Sequence, residues 1–342
     1  MRAMNARHPA CKALSVVVAA AFVLLPLPPH QRAEAKISLE VRQAVEDGLE
    51  YLARSQRDDG SWPGTYGQAP GVVGIVLLSF FAHGDVPGRG PYKETIDKAI
   101  KFLLANANKD GLISRTGAPP MYNHGFATLA LAEAYGMSPQ PEIERVLRRA
   151  VDLIVRTQNK RGGWRYQPMA LDDDITVTGA QLMALRAADN AGINVPRKTI
   201  EQGIAYIESC YVQGGFGYQP NGSPGTARTG IGVLLLELLG KEESEQVKKG
   251  IEYLKNHPPR HRESYFYYGS YYCSQAVYQF GGATWNEWNE SMTAQLLRIQ
   301  VKSGADRGSW PETGSAGGKQ YATAMALLAL QVNWRYLPIY QR

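Results

Sequence analysis

GLEYLARSQRDDGSW, Gly48 to Trp62, is the stretch whose reading decides the fold. Leu49, Leu52 and Ala53 fall on one face of a helix with Tyr51 beside them. The helix runs out into Gln56, a polar turn, Gly60 and Trp62. A large apolar ring at the end of a polar turn needs a reason, and the chain repeats the arrangement. AVDLIVRTQNKRGGW, Ala150 to Trp164, holds Gln158, Gly162 and Trp164 at the same spacing. GIAYIESCYVQGGF, from Gly203, puts Cys210 in the Gln position and Phe216 in the Trp position. AIKFLLANANKDGL, from Ala99, is a weakened copy, and GIEYLKNH, from Gly250, keeps only the helix. LLRIQVKSGADRGSW closes the series, with an insertion between Gln300 and Trp310. That makes six copies, and self-similarity at such a period is the mark of a repeat architecture.

Between the copies lie six segments of another character: Val72–His83, His124–Gly136, Ile175–Asn190, Arg228–Gly240, Tyr271–Gly281 and Tyr321–Val332. They are rich in Ala, Gly, Leu and Val and nearly free of charge on every side, as helices buried all round are. The repeat-bearing helices carry Glu, Lys and Arg along one face, as solvent-facing helices do. The order is therefore outer helix, loop, inner helix, repeated, and the fold class expected is all-α. An open stack of such pairs needs polar caps at its ends. None is evident, so the expectation is a closed (α/α)6 toroid of six outer and six inner helices. In it the Gln side chain sits at the last turn of an outer helix, donates to carbonyls left without partners there and accepts from the turn. The Gly permits a sharp reversal, and the Trp covers the junction between neighbouring hairpins.

The chain has 342 residues and a formal net charge of +6. Part of that charge belongs to the first 35 residues, where Arg2, Arg7, Lys12 and Arg32 face only Glu34. The remaining excess is too small and scattered to argue for nucleic acid, so no nucleic-acid partner is expected. A basic leader, an apolar run from Ala13 to Leu27, and small residues at Ala33 and Ala35 suggest an export signal over residues 1–35. The apolar run is short for a membrane span. The expected organisation is thus a leader (1–35) and one toroid domain (36–342) in the periplasm or outside the cell, with no membrane span after cleavage. Of three cysteines, Cys11 leaves with the leader. Cys210 and Cys273 lie in helical patterns and read as unpaired thiols.

The Gln-to-Trp spacing is similar to the QW motif of squalene and oxidosqualene cyclases. Over nearly the whole mature chain the sequence resembles the terpenoid cyclase/protein prenyltransferase toroid family, and in particular prenyltransferase/squalene oxidase repeat proteins. The resemblance speaks for a scaffold more than for an activity. Squalene-hopene-type cyclases resemble two fused toroids, whereas this chain has residues for one. Their acidic Asp-x-Asp-Asp motif finds its nearest match in Leu171-Asp172-Asp173-Asp174, with Leu in the first position, and the proton-donating place falls on Asp173. Protein prenyltransferases hold zinc with Asp, Cys and His; Cys273 and His257 are present here without an Asp to join them.

In a toroid the inner helices point their N-termini to one end, where free N–H groups and helix dipoles favour anions. The residues expected there are His124, Asp172, Asp173, Asp174, Arg228, Tyr268, Tyr271, Tyr272 and Tyr321. Asp173, Asp174 and His124 are the candidate acid–base groups, since three adjacent carboxyls repel and favour one of them keeping its proton. Asp172, Arg228 and the tyrosines are the candidate ligand contacts, the rings suited to a cation or a sugar face. Each has a plainer reading: Asp174 as a helix cap, His124 as a satisfied rim residue, the tyrosines as a packed wall. No metal spacing, phosphate loop or nucleophile elbow is present, so no metal and no cofactor are expected.

Three functions compete. The first is an exported toroid that binds, and by acid catalysis cyclises or rearranges, an isoprenoid or other hydrophobic molecule, a terpene cyclase/mutase-like isomerase if it is an enzyme. The second is a non-catalytic binding or scaffold module. The third is a carbohydrate-active (α/α)6 enzyme acting on a glycan, which needs two spaced carboxylates.

Overall fold

The computed structural model describes residues 37–63, 68–115, 119–313 and 317–341, so the leader expected over 1–35 lies outside the described residues. Helices follow one another as α1 (Leu39–Arg54), α2 (Pro70–His83), α3 (Lys93–Ala105), α4 (Pro120–Met137), α5 (Pro141–Arg156) and α6 (Ile175–Asn190). Then come α7 (Arg197–Ser209), α8 (Thr226–Leu238), α9 (Glu245–Asn256), α10 (Phe266–Phe280), α11 (Gly282–Ile299) and α12 (Gly318–Leu330). A two-residue hairpin, β1 (Tyr211–Val212) against β2 (Gly215–Phe216), interrupts them once among the described residues.

Local chemistry sets many of the starts. Pro70, Pro120 and Pro141 sit in the first turns of α2, α4 and α5, where a missing N–H costs nothing. Ser38 and Ser244 cap α1 and α9 by accepting from Val41 N and Val247 N. Faces then sort by periodicity. In α5 the residues Ile143, Leu147, Ala150 and Ile154 are fully buried, an i, i+4, i+7 stripe that leaves Glu144, Arg148 and Asp152 outside.

The even-numbered helices form the inner ring. Each packs on the next in chain order, and α12 returns to α2, which closes the (α/α)6 toroid. The odd-numbered helices lie outside it, each against inner neighbours. Close approach within the ring rests on small residues. A Cβ on Gly74 of α2 would stand 2.6 Å from Phe126 O of α4, and one on Gly230 of α8 would stand 2.8 Å from Cys273 N of α10. Cys210 and Cys273 are buried free thiols.

The repeated Gln, Gly and Trp form a clasp between successive outer helices. Gln56 Nε2 donates to Gly60 O at 3.2 Å and to Thr95 O of α3 at 2.9 Å. Gln158 does the same to Gly162 O and Thr199 O of α7, and Gln300 to Gly308 O and Ala44 O of α1. The helix's own carbonyls, expected to be the partners of Gln, are instead taken by the Trp. Trp62 Nε1 donates to Leu52 O, Trp164 Nε1 to Ile154 O and Trp310 Nε1 to Leu296 O. The Gly adopts φ +88° to +91° in the three clasps and lies against the next outer helix, where a Cβ would meet a carbonyl oxygen at 1.9–2.2 Å.

The C-terminal 3-10 turn Pro338–Tyr340 packs on α4 and α6. The Tyr340 hydroxyl bonds that of Tyr271 on α10, so the turn crosses the ring toward the C-terminal ends of the inner helices.

Candidate functional site

The opposite end, where inner helices begin, encloses a cavity of about 1060 Å³. All six inner helices reach it through their first two turns: Val72 and Ile75, Tyr122 and Phe126, Thr176, Arg228, Tyr268, and Tyr321. The loops that follow outer helices add Tyr166, Tyr218, Arg262 and Glu263. Aliphatic and aromatic side chains make the depth, and the cations stand at the mouth. Arg228 makes no ion pair or side-chain hydrogen bond among the described residues, and Glu263 is the only carboxylate on the wall among them. The Tyr268 hydroxyl is buried with no partner in hydrogen-bonding geometry.

One wall is a fastened polar cluster. Arg165 reaches Asp172 Oδ2 and Asp174 Oδ2, each at 3.2 Å, and donates to the Tyr218 hydroxyl at 3.0 Å. Its guanidinium lies 4.5 Å from the centre of the Tyr166 ring and 5.2 Å from that of Tyr218, at cation–π range. The two phenols bond each other at 2.5 Å. Burial, then the bond to Tyr166, pushes the Tyr218 hydroxyl far above its ordinary range. Burial, then the Asp174 charge, does the same to Tyr122. Both phenols are therefore neutral hydrogen-bonding groups at physiological pH.

Arg228, Tyr268 and Tyr321 line the cavity as expected of their positions. The other residues expected at this rim sit elsewhere. Asp174 is fully buried as the N-cap of α6, with Oδ1 accepting from Thr176 N at 2.8 Å and Val177 N at 2.9 Å. It meets the cavity wall indirectly, through Arg165 on Tyr218 and through Thr176, whose hydroxyl donates to Asp174 Oδ1 at 2.5 Å and also bonds the Tyr122 hydroxyl. Asp173 is fully buried behind the wall, gripped by Arg161 through Nε at 2.8 Å and Nη2 at 2.9 Å, with Asn159 Nδ2 at 2.7 Å. Asp172 is on the exposed side of Arg165.

His124 corrects the expected placement most sharply. Its ring is fully buried between α4 and the outer layer, accepting from Ile113 N at Nδ1 and donating from Nε2 to Ala150 O. Burial lowers its pKa to about 4. Tyr271 and Tyr272 are likewise displaced from the rim. Because α10 starts at Phe266, they sit a turn deeper and are buried, their rings 4.8 Å apart. Tyr166 and Tyr218 were missed. Their signal was faint: each follows a Trp or Phe of the repeat by two residues.

No family model matches the sequence. Over 149 residues it is 24% identical to a drimenyl diphosphate synthase of Streptantibioticus cattleyicolor, a match that covers 42% of this chain and 27% of that protein. The match thus spans only 27% and 33% of the length of two such curated relatives. Among solved structures, an alpha-1,6-mannanase from Salegentibacter superposes with a TM-score of 0.65 at 10% identity, over 86% of this chain and 99% of that one. A type II terpene cyclase variant from Scytonema, bound to its product merosterolic acid A, gives 0.58 at 13% identity, over 86% and 96%. The sequence is distantly terpene cyclase-like, and the structural likenesses show the toroid fold that hydrolases and cyclases share.

Proposed function

We propose that the toroid is a binding protein for an isoprenoid or other hydrophobic small molecule, held in the cavity at the N-terminal end of the inner ring. One observation carries this reading: the cavity of about 1060 Å³ has aliphatic and aromatic depth and a cationic mouth. Its volume is that of sites that enclose small organic ligands. The distant likeness to drimenyl diphosphate synthases supports a terpenoid class of ligand.

Acid catalysis is less well served. Protonating an alkene requires a carboxylic acid facing the substrate, while Asp173 accepts three hydrogen bonds behind the wall and Asp174 holds the start of α6. A glycan-cleaving reading has support in the Tyr122, Tyr166 and Tyr218 hydroxyls, but it needs a second carboxylate beside Glu263. Export through the leader over residues 1–35 is part of the proposal and is checked by the N-terminal sequence of the mature protein.

The test is native mass spectrometry of the purified protein, followed by solvent extraction of any retained mass. A lipid or terpenoid carried by the wild type and lost in Ala227→Trp, which fills the mouth from the first turn of α8, supports the reading. Uptake of oligosaccharides with no uptake of hydrophobic molecules would overturn it.

A further inference from the structure

Three phenols share one wall of the cavity, and their hydrogens can be counted. Tyr122 stands in the first turn of α4, while Tyr166 and Tyr218 come from the loops that follow α5 and β2. Both loops are pinned to the starts of inner helices. Met121 N donates to Tyr166 O and Ile175 N to Tyr218 O, each at 3.0 Å. The Tyr122 and Tyr166 rings lie 6.0 Å apart, and Phe126 continues the wall beside Tyr122 as an apolar surface.

Around Tyr122 every donor is spent. Asp174 Oδ1 accepts from two backbone N–H groups and its Oδ2 from Arg165, so Thr176 Oγ1 gives its hydrogen to Asp174. The bond between Tyr122 and Thr176 then requires the phenol to be the donor. A hydroxyl has one hydrogen and two lone pairs, which leaves the Tyr122 oxygen an acceptor only. Around Tyr218 one donor is left over. Arg165 Nη1 donates to the Tyr218 oxygen, and the Tyr218 and Tyr166 hydroxyls bond each other. Two phenols carry two hydrogens, and their mutual bond uses one. The other has no acceptor among the described residues. The wall thus offers an acceptor and a donor side by side. It holds little attraction for an anion, because the Arg165 guanidinium is already shared by Asp172 and Asp174.

We infer that the hydrophobic ligand of this cavity is an alcohol, whose hydroxyl donates to Tyr122 and accepts from the Tyr166–Tyr218 pair. A hydroxyl fills both roles without carrying charge, whereas an ether or a ketone can only accept. The apolar part of the ligand rests on the function proposed above; its polar end rests on the hydrogen count.

Isothermal titration of the full protein compares 1-decanol with its isomer methyl nonyl ether, which accepts a hydrogen bond but has none to donate. Decanol is expected to bind about tenfold tighter or more, since a site built for a hydroxyl discriminates against analogues that leave its groups unpaired. In Tyr122→Phe that ratio falls to near one. In Tyr166→Phe/Tyr218→Phe both affinities fall and the ratio is kept, because the lost donor serves either oxygen. Each ratio is taken within one protein, so a variant that is only less stable does not change it. Equal affinities in the wild type, a ratio that survives in Tyr122→Phe, or decanoate binding tighter than decanol overturns the inference and leaves the cavity reading standing. If neither decanol nor the ether binds, the inference and the cavity reading fall together.

Discussion

Arg161 forks both oxygens of Asp173 and draws the loop after α5 over the start of α6, leaving the carboxylate fully buried. With Asn159 the group accepts three hydrogen bonds. Asp173→Asn keeps the shape and removes the charge that strengthens those bonds. The expected loss is about 2 kcal/mol of stability, read by urea denaturation, with cavity binding changed less than twofold. Lost binding or turnover at unchanged stability would instead make Asp173 a functional acid.

The clasp glycine is tested by comparing two left-handed positions. Gly162 has φ +90° and a Cβ there would stand 2.2 Å from Gln202 O, while Gly192 has φ +82° and nothing within 4 Å. Alanine at Gly192 meets only backbone strain, about 1 kcal/mol. Alanine at Gly162 must also push α5 and α7 apart, and the expected cost is about 3 kcal/mol or more. Equal losses in chemical denaturation would show that the close approach of the outer helices contributes nothing.

Glu133 makes the toroid less stable in alkali. It is buried on α4 facing the backbone N–H of Ile339, and burial raises its pKa from 4.5 to about 8. In the unfolded chain it loses its proton near 4.5, so between there and about 8 the folded state holds the extra proton and stability falls as pH rises. Glu133→Gln keeps the acceptor and removes the titration. The melting temperature of the variant should match wild type near pH 4.5 and exceed it progressively toward pH 8, a gap that a constant offset would contradict.

His124 acts in the opposite direction. Its pKa is lowered from 6.5 to about 4, so as pH falls below 6.5 the unfolded chain takes up the proton first. Stability supplied by the neutral ring is complete above 6.5 and is lost on the way to about 4, with a slope of up to ~1.4 kcal/mol per pH unit. In His124→Gln the acid-side slope of unfolding free energy against pH should fall by about one proton. An unchanged slope would mean that the imidazole is not buried neutral.

Much of this architecture is legible without coordinates because its signals are local or periodic. Ile143, Leu147 and Ile154 mark the inner face of α5 by spacing alone, and Gln158, Gly162 and Trp164 mark the clasp by recurrence. Even there the hydrogen-bond partners were assigned differently. Gln158 reaches Thr199, 41 residues away, and no local pattern encodes which carbonyl will be in range.

The sequence by itself determined the helix count, the alternation of outer and inner helices, and the closed ring, since each follows from which side chains must leave water. Only the tertiary structure decided what stands at the mouth. One turn of helix is about 5.4 Å, so the start of α10 at Phe266 was enough to sink Tyr271 and Tyr272 into the core and leave Tyr268 on the wall. Loop geometry turned Asp173 onto Arg161 and brought Tyr166 and Tyr218 together across 52 residues. Such meetings depend on where separate elements begin and how closely they pack, which hydrophobic periodicity constrains only to within a turn.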